Sequence, residues 1–185
     1  MDLVFPMILG SIIVVTLLLW FSGYYVLLKF VKKMETRWRR LSHLLHRLDR
    51  LSSEYLISLD TDGKLAPGTS QTIQRHIDDM HNPMLGRSEQ LHAYAIVHER
   101  LEEIFDSIEL AENEQALQEM ETDLQSTLTL VASSSQAYDA SVKRYNKSIT
   151  TVPTKYVAGI HHFESQYLLD DSVKKWETKD QAPSN

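Results

Sequence analysis

"LQEMETDLQSTLTLVASSSQAYDASVKRYNKSITTVP", residues 117–153, decides the fold. Leu117, Met120, Leu124, Leu128, Val131, Ser135, Tyr138, Val142, Tyr145, Ile149 and Val152 recur at steps of three or four. At 3.6 residues per turn such steps keep every member on one side of a helix. The stripe implies a helix about 53 Å long. Pro153 ends it, because the proline ring clashes with the preceding turn and brings no N–H. The repeat of Tyr138-Asp139 seven residues later as Tyr145-Asn146 is a packing period first. Asp139 and Asn146 each lie about 100° off the stripe. They are candidates for bonding a neighbouring helix or for holding the chain where it turns at Pro153.

Working outward, two more stripes follow the same rule. Leu41, Leu44, Leu48, Leu51 and Tyr55 mark a helix with a basic outer face. Tyr94, Val97, Leu101, Ile104 and Ile108 mark a second, over about residues 87–111, with an acidic outer face. "DTDGKLAPGTS" (60–70) and "NPMLG" (82–86) hold the breakers Gly63, Pro67, Gly68 and Pro83, and read as loops. Between them "TSQTIQRHIDDMH" reads as a short helix capped by Thr69 or Ser70. A last helix is expected from Thr154, over "TKYVAGIHHFESQYLLDDSVKKW" (154–176), with Gly159 as its weak point. No segment alternates with period two long enough to be a strand.

The first thirty residues have another character. Leu3 to Leu28 is a run of 26 residues without a charge. As a helix it measures about 39 Å, against a hydrocarbon core of roughly 30 Å. A signal peptide would bring a basic start, a shorter apolar run and a small-residue cleavage site, none of which this segment has. Trp20, Phe21, Tyr24 and Tyr25 fall where an interfacial aromatic belt would lie. Residues 29–50 carry eight Lys or Arg against two acids. The positive-inside rule therefore leaves the amino terminus outside and the rest cytoplasmic. Lys29, Lys32, Lys33, Arg37, Arg39 and Arg40 are the candidate lipid-headgroup contacts.

The expected fold class is all-α: an N-terminal transmembrane helix followed by an antiparallel bundle of three long helices plus shorter ones. The division is a membrane anchor over 1–28, a cytoplasmic helical bundle over 29–177 and a disordered tail over 178–185. Residues 51–185 are net −11, which argues against nucleic acid as a partner. The absence of cysteine excludes disulfides and thiolate zinc sites, and fits a reducing compartment.

Candidate chemistry is sparse. "LISLDTDGKL" resembles the Asp-x-Asp nucleophile motif of haloacid-dehalogenase phosphatases through Asp60 and Asp62, with Asp170-Asp171 downstream. That motif needs a buried parallel strand before it, and the chain offers helical stripes instead. The same acids do not continue into a calcium loop. His43 and His46 are one turn apart but sit in a basic stretch that repels a cation. His161, His162 and Glu164 point in different directions on a helix. Ser133, Ser134 and Ser135 sit on or beside the long stripe, where small side chains admit a close neighbour. No catalytic, metal or cofactor-binding residue is assigned, and neither an enzyme nor a bound cofactor is expected.

The residues of the carboxy-terminal stretch carry a resemblance. Tyr138, Val142, Tyr145, Asn146, Ile149, Pro153, Ala158, Phe163 and Tyr167 match the signature of the LemA family, a doubled Tyr-Asn pair leading to Phe-Pro and a later Phe and Tyr. Asp139 stands at the first Asn, Val152 at the Phe before proline and Leu168 at the last Phe. A second patch fits the register after the anchor: Trp38, Leu41, Leu45, Arg47 and Leu51, with Leu48 at a usual Arg and Ser53 at a usual Pro. The resemblance implies a membrane-anchored helical bundle without established enzymatic activity, and one branch of the family is implicated in building bacterial magnetosome membranes. Family-motif and interaction candidates are therefore Trp38, Arg47, Tyr138, Asp139, Tyr145, Asn146, Pro153, Phe163 and Tyr167.

The expectation is a scaffold or interaction protein at the cytoplasmic face of a bacterial inner membrane, single-pass, with the amino terminus out. Its expected partners are the lipid bilayer and proteins the sequence does not name, with self-association compatible. The alternative is a sensory or small-ligand-binding helical domain, in which Tyr138, Tyr145 and Asn146 would line a cavity.

Overall fold

The computed structural model describes residues 4–108, 110–111, 114–166 and 168, with side chains from Met7 onward. The described residues form five helices and no strand. They are α1 (Val4–Thr61), α2 (Thr69–His81), α3 (Arg87–Ser107), α4 (Gln115–Thr150) and α5 (Thr154–Ile160). The expected disordered tail and Tyr167 lie outside the described residues.

The apolar run and the first amphipathic stripe are one uninterrupted helix of 58 residues, about 87 Å long. Its two parts have opposite surroundings. From Met7 to Leu19 every side chain is exposed, and the long apolar helix to which they belong fits a membrane anchor. Beyond it Leu27, Met34, Leu41, Leu45, Leu48, Tyr55, Leu56 and Leu59 are buried.

Contacts set the level of each helix along α1. On α2, Gln74 meets Ser53 at 3.1 Å and His81 meets His46 at a ring distance of 4.0 Å. On α3, Arg87 reaches Glu35 at 2.7 Å, and Phe105 lies 5.8 Å from Tyr55. On α4, Glu121 faces the Tyr55 hydroxyl at 3.5 Å and Tyr138 faces Trp38 at 5.6 Å. Thus α3 ascends with α1, while α2 and α4 run back. The α4 stripe is buried at Leu117, Leu124, Leu128, Val131, Tyr138, Val142 and Tyr145. Its eleventh member, Val152, falls past the end of the helix and is 65% exposed.

The loops repay their breakers. Gly63 has φ 65°, and the Lys64 amide bonds back to the Leu59 carbonyl at 2.9 Å, closing α1 with a left-handed cap. Asp60 thus lies on the last turn of a helix, not after a strand. The N-cap of α2 is Gly68 (φ 87°), in place of the expected Thr69 or Ser70, and no side chain caps that end. The amide of Gly86 is held by the Glu89 carboxylate at 2.7 Å, starting α3.

The expected last helix is much shorter than its apolar pattern suggested. It stops at Ile160 because the chain reverses at His162 (φ 55°), with the Phe163 amide bonding the Ala158 carbonyl at 3.0 Å. This is the six-to-one closure of a helix end, made here on a residue other than glycine.

His81 contributes a pH dependence. Burial, and then the neighbouring His46, hold its imidazole below the ordinary 6.5, against the opposing pull of Asp49 and Asp78. The native state favours the neutral ring, so its stability is full above 6.5 and falls as the pH drops through that value. The melting temperature is expected to decline from about pH 7.5 to about pH 5, and His81→Phe to flatten that decline. A variant that declines as steeply as wild type would remove His81 from the account.

Candidate functional site, a clasp of the tyrosine pairs

The two tyrosine pairs lie seven residues apart on α4 and do different work. Tyr138 is buried at the middle of the α1–α4 seam. Trp38 meets its ring edge-on at an angle of 63°. Arg87 closes the group from the start of α3. Its guanidinium lies 4.8 Å from the Trp38 ring and donates to the Tyr138 hydroxyl at 3.2 Å and to the Glu35 carboxylate at 2.7 Å. The hydrogen bond from Arg87, followed by its charge, holds the Glu35 carboxyl below its ordinary value, against a partial cost of burial. One cation thus ties α1, α3 and α4 together.

The second pair holds the segment after α5. The Tyr145 hydroxyl donates to the carbonyl of Glu164 at 2.9 Å. The Asn146 amide makes both bonds that a peptide group can make: its nitrogen donates to the Gln166 carbonyl at 2.7 Å, and its oxygen accepts from the Gln166 amide at 2.9 Å. A side-chain amide thereby pairs with the main chain as a neighbouring strand would. These bonds compete for the backbone groups that a longer α5 would use, which is a second reason that helix stops at Ile160. Asn146→Ala is expected to cost about 1 kcal/mol, because both ends of the bond pair are partly solvated. Hydrogen exchange at the Gln166 amide checks it: exchange should rise there and stay unchanged at the α4 core.

Phe163 packs near Tyr24 at 6.2 Å, and His161 sits 4.8 Å from Tyr24 and 5.7 Å from Trp20. Val157 and Thr154 of α5 cover Gly23, where a Cβ would meet the Val157 methyl at 3.1 Å. Pro153 forms the N-cap of α5. Asp139 is buried on α4. Arg47 is exposed, away from this clasp.

The basic candidates on α1 divide. Lys29, Lys32, Lys33 and Arg40 are exposed. Arg39 is exposed but pairs with Glu35 at 3.6 Å, and Arg37 bonds the Ala137 carbonyl on α4. Those two are engaged within the protein.

Sequence reasoning missed Arg87, Glu35 and His81. Arg87 carried no motif of its own, and its partners stand some fifty positions away on either side. A lone Arg opening a helix after Gly86 was the only available signal. His46, rejected as a partner for His43, meets His81 instead. Among the described residues no three His, Asp or Glu side chains converge to hold a metal.

No curated protein and no solved structure matches the chain. The LemA family model matches residues 88–183, more than half of its length. That match holds Tyr138, Tyr145, Asn146, Pro153 and Phe163, whereas Trp38 and its patch precede it. The α4 side of the clasp thus lies within the matched stretch, and the chain belongs to the LemA family.

Proposed function

We propose that this protein is a non-catalytic scaffold that holds a bundle of three long helices, α4 antiparallel to α1 and α3, at a membrane and presents it to protein partners. The observation that carries the reading is the continuity of α1. The same helix supplies the bare apolar segment and the buried seam against α4, so the bundle stands on its anchor without a flexible joint. Tyr138, Tyr145 and Asn146 support it too, because their polar groups bond Arg87, Glu164 and Gln166 rather than facing a cavity. The charge of residues 29–50 supports an amino terminus outside and a bundle on the cytoplasmic face of a bacterial inner membrane.

Two measurements test this. Carboxy-terminal fusions should fluoresce as green fluorescent protein and stay inactive as a secreted phosphatase; the reverse pattern overturns the orientation. Crosslinking in intact cells should then trap specific proteins on the full-length chain and lose them when residues 1–28 are removed. Equal capture without the anchor would contradict a scaffold that works at the membrane.

A further inference from the structure

We propose that the groove where α1 meets the α4–α5 junction binds an anionic phospholipid drawn from the bilayer around α1, a site that rests on the membrane-anchor reading above. The groove has a volume of about 450 Å³. Val26, Phe30, Val152 and Pro153 supply its apolar wall, and Arg144 and Lys147 its charge. Among the described residues no carboxylate lines it. Among the described residues no ion pair occupies either cation.

Its position argues for lipid as the occupant. The groove opens at Ser22 and Gly23, within one helical turn of the exposed apolar ladder Met7–Leu19. The apolar run exceeds the hydrocarbon thickness by about 9 Å, so its last turns fall in the headgroup layer. That is the level at which α5 covers Gly23. There α5 exposes Tyr156 (66%) and Ile160 (63%), with Val152 just ahead of them. Single exposed apolar residues need no explanation, but three beside an apolar groove at the end of a bare span form one surface. An acyl chain can enter along Val26 and Phe30 without crossing water. The phosphate would then meet Arg144 and Lys147, as anionic headgroups meet basic side chains near a membrane surface. A free phosphate would gain nothing from the apolar wall.

The test uses full-length protein reconstituted in phosphatidylcholine vesicles with about one-third phosphatidylglycerol, followed by flotation and native mass spectrometry. Wild type should float and retain phosphatidylglycerol in preference to phosphatidylcholine. The double variant Arg144→Gln, Lys147→Gln should float equally and retain about tenfold less phosphatidylglycerol. Val26→Trp, which fills the groove without touching charge, should reduce retention of both lipids. Soluble glycerol phosphate should not compete. Wild type that floats but shows no preference, variants that retain phosphatidylglycerol undiminished, or full competition by glycerol phosphate would each overturn the site. Failure of wild type to float would instead overturn the anchor reading, and the site with it.

Discussion

Tyr55→Ala is expected to lower the unfolding free energy by about 3–5 kcal/mol, the range for deleting a large buried aromatic ring. Tyr55 is fully buried where three helices meet: it belongs to α1, lies beside Phe105 of α3, and points its hydroxyl at Glu121 of α4. Removing the ring leaves a void bordered by all three, which no single helix can close. The hydroxyl is a lesser matter. Its bond to Glu121 is long, at 3.5 Å, so Tyr55→Phe is expected to cost under about 1 kcal/mol. Burial, then the charge of Glu121, pushes the phenol pKa up, so the group stays protonated throughout the working range. Chemical denaturation of both variants in detergent would check the contrast. Equal losses for alanine and phenylalanine would place the energy in the polar bond and not in packing.

Arg87→Ala is expected to cost about 2 kcal/mol. It removes the contact of the guanidinium with Trp38, the bond to Tyr138 and the ion pair with Glu35, each worth about 0.5–1 kcal/mol for a partly exposed cation. Arg87→Lys should recover less than half, because an ammonium cannot serve two acceptors and a ring face with one planar fork. A pH measurement separates this from a packing defect. The Glu35 carboxyl is held below its ordinary 4.5 by Arg87, so it lends stability above that value and loses it as the pH falls further. The variant should therefore lose less stability than wild type on acidification below about pH 4.5. An unchanged acid limb would show that the ion pair contributes nothing.

What the sequence revealed follows the range of the interactions involved. The α4 seam was legible because helical period is local: each member is three or four residues from the next, and burial runs from Leu117 to Tyr145. The seam failed only at Val152, where Pro153 had already ended the geometry that makes spacing meaningful. The tyrosines were legible as packing residues for the same reason. Their polar ends were not, because Arg87 and Gln166 meet α4 through the tertiary fold. The length of α5 was misjudged since its apolar pattern continues past Ile160, while the capture of Glu164 and Gln166 by α4 is invisible in that pattern. The α1 boundary shows the reverse case. Charge marked the end of the apolar run at Leu28, but α5 covers one face of it from Gly23 onward, so the bare segment is shorter than the uncharged one.

The most direct test of the account uses the chain's lack of cysteine, which makes every introduced cysteine unique. Single cysteines would be placed along α1 from Met7 to Leu59 in membranes and treated with a water-soluble maleimide. Positions 8–19 should stay unlabelled all round the helix until the membrane is dissolved. Labelling should then appear past Leu28 with a helical period, strong at Lys32 and Arg40 and weak at Leu41 and Leu48. Free labelling of positions 8–19 in intact membranes, or labelling without period beyond Leu28, would contradict a single helix that is first an anchor and then one wall of the bundle.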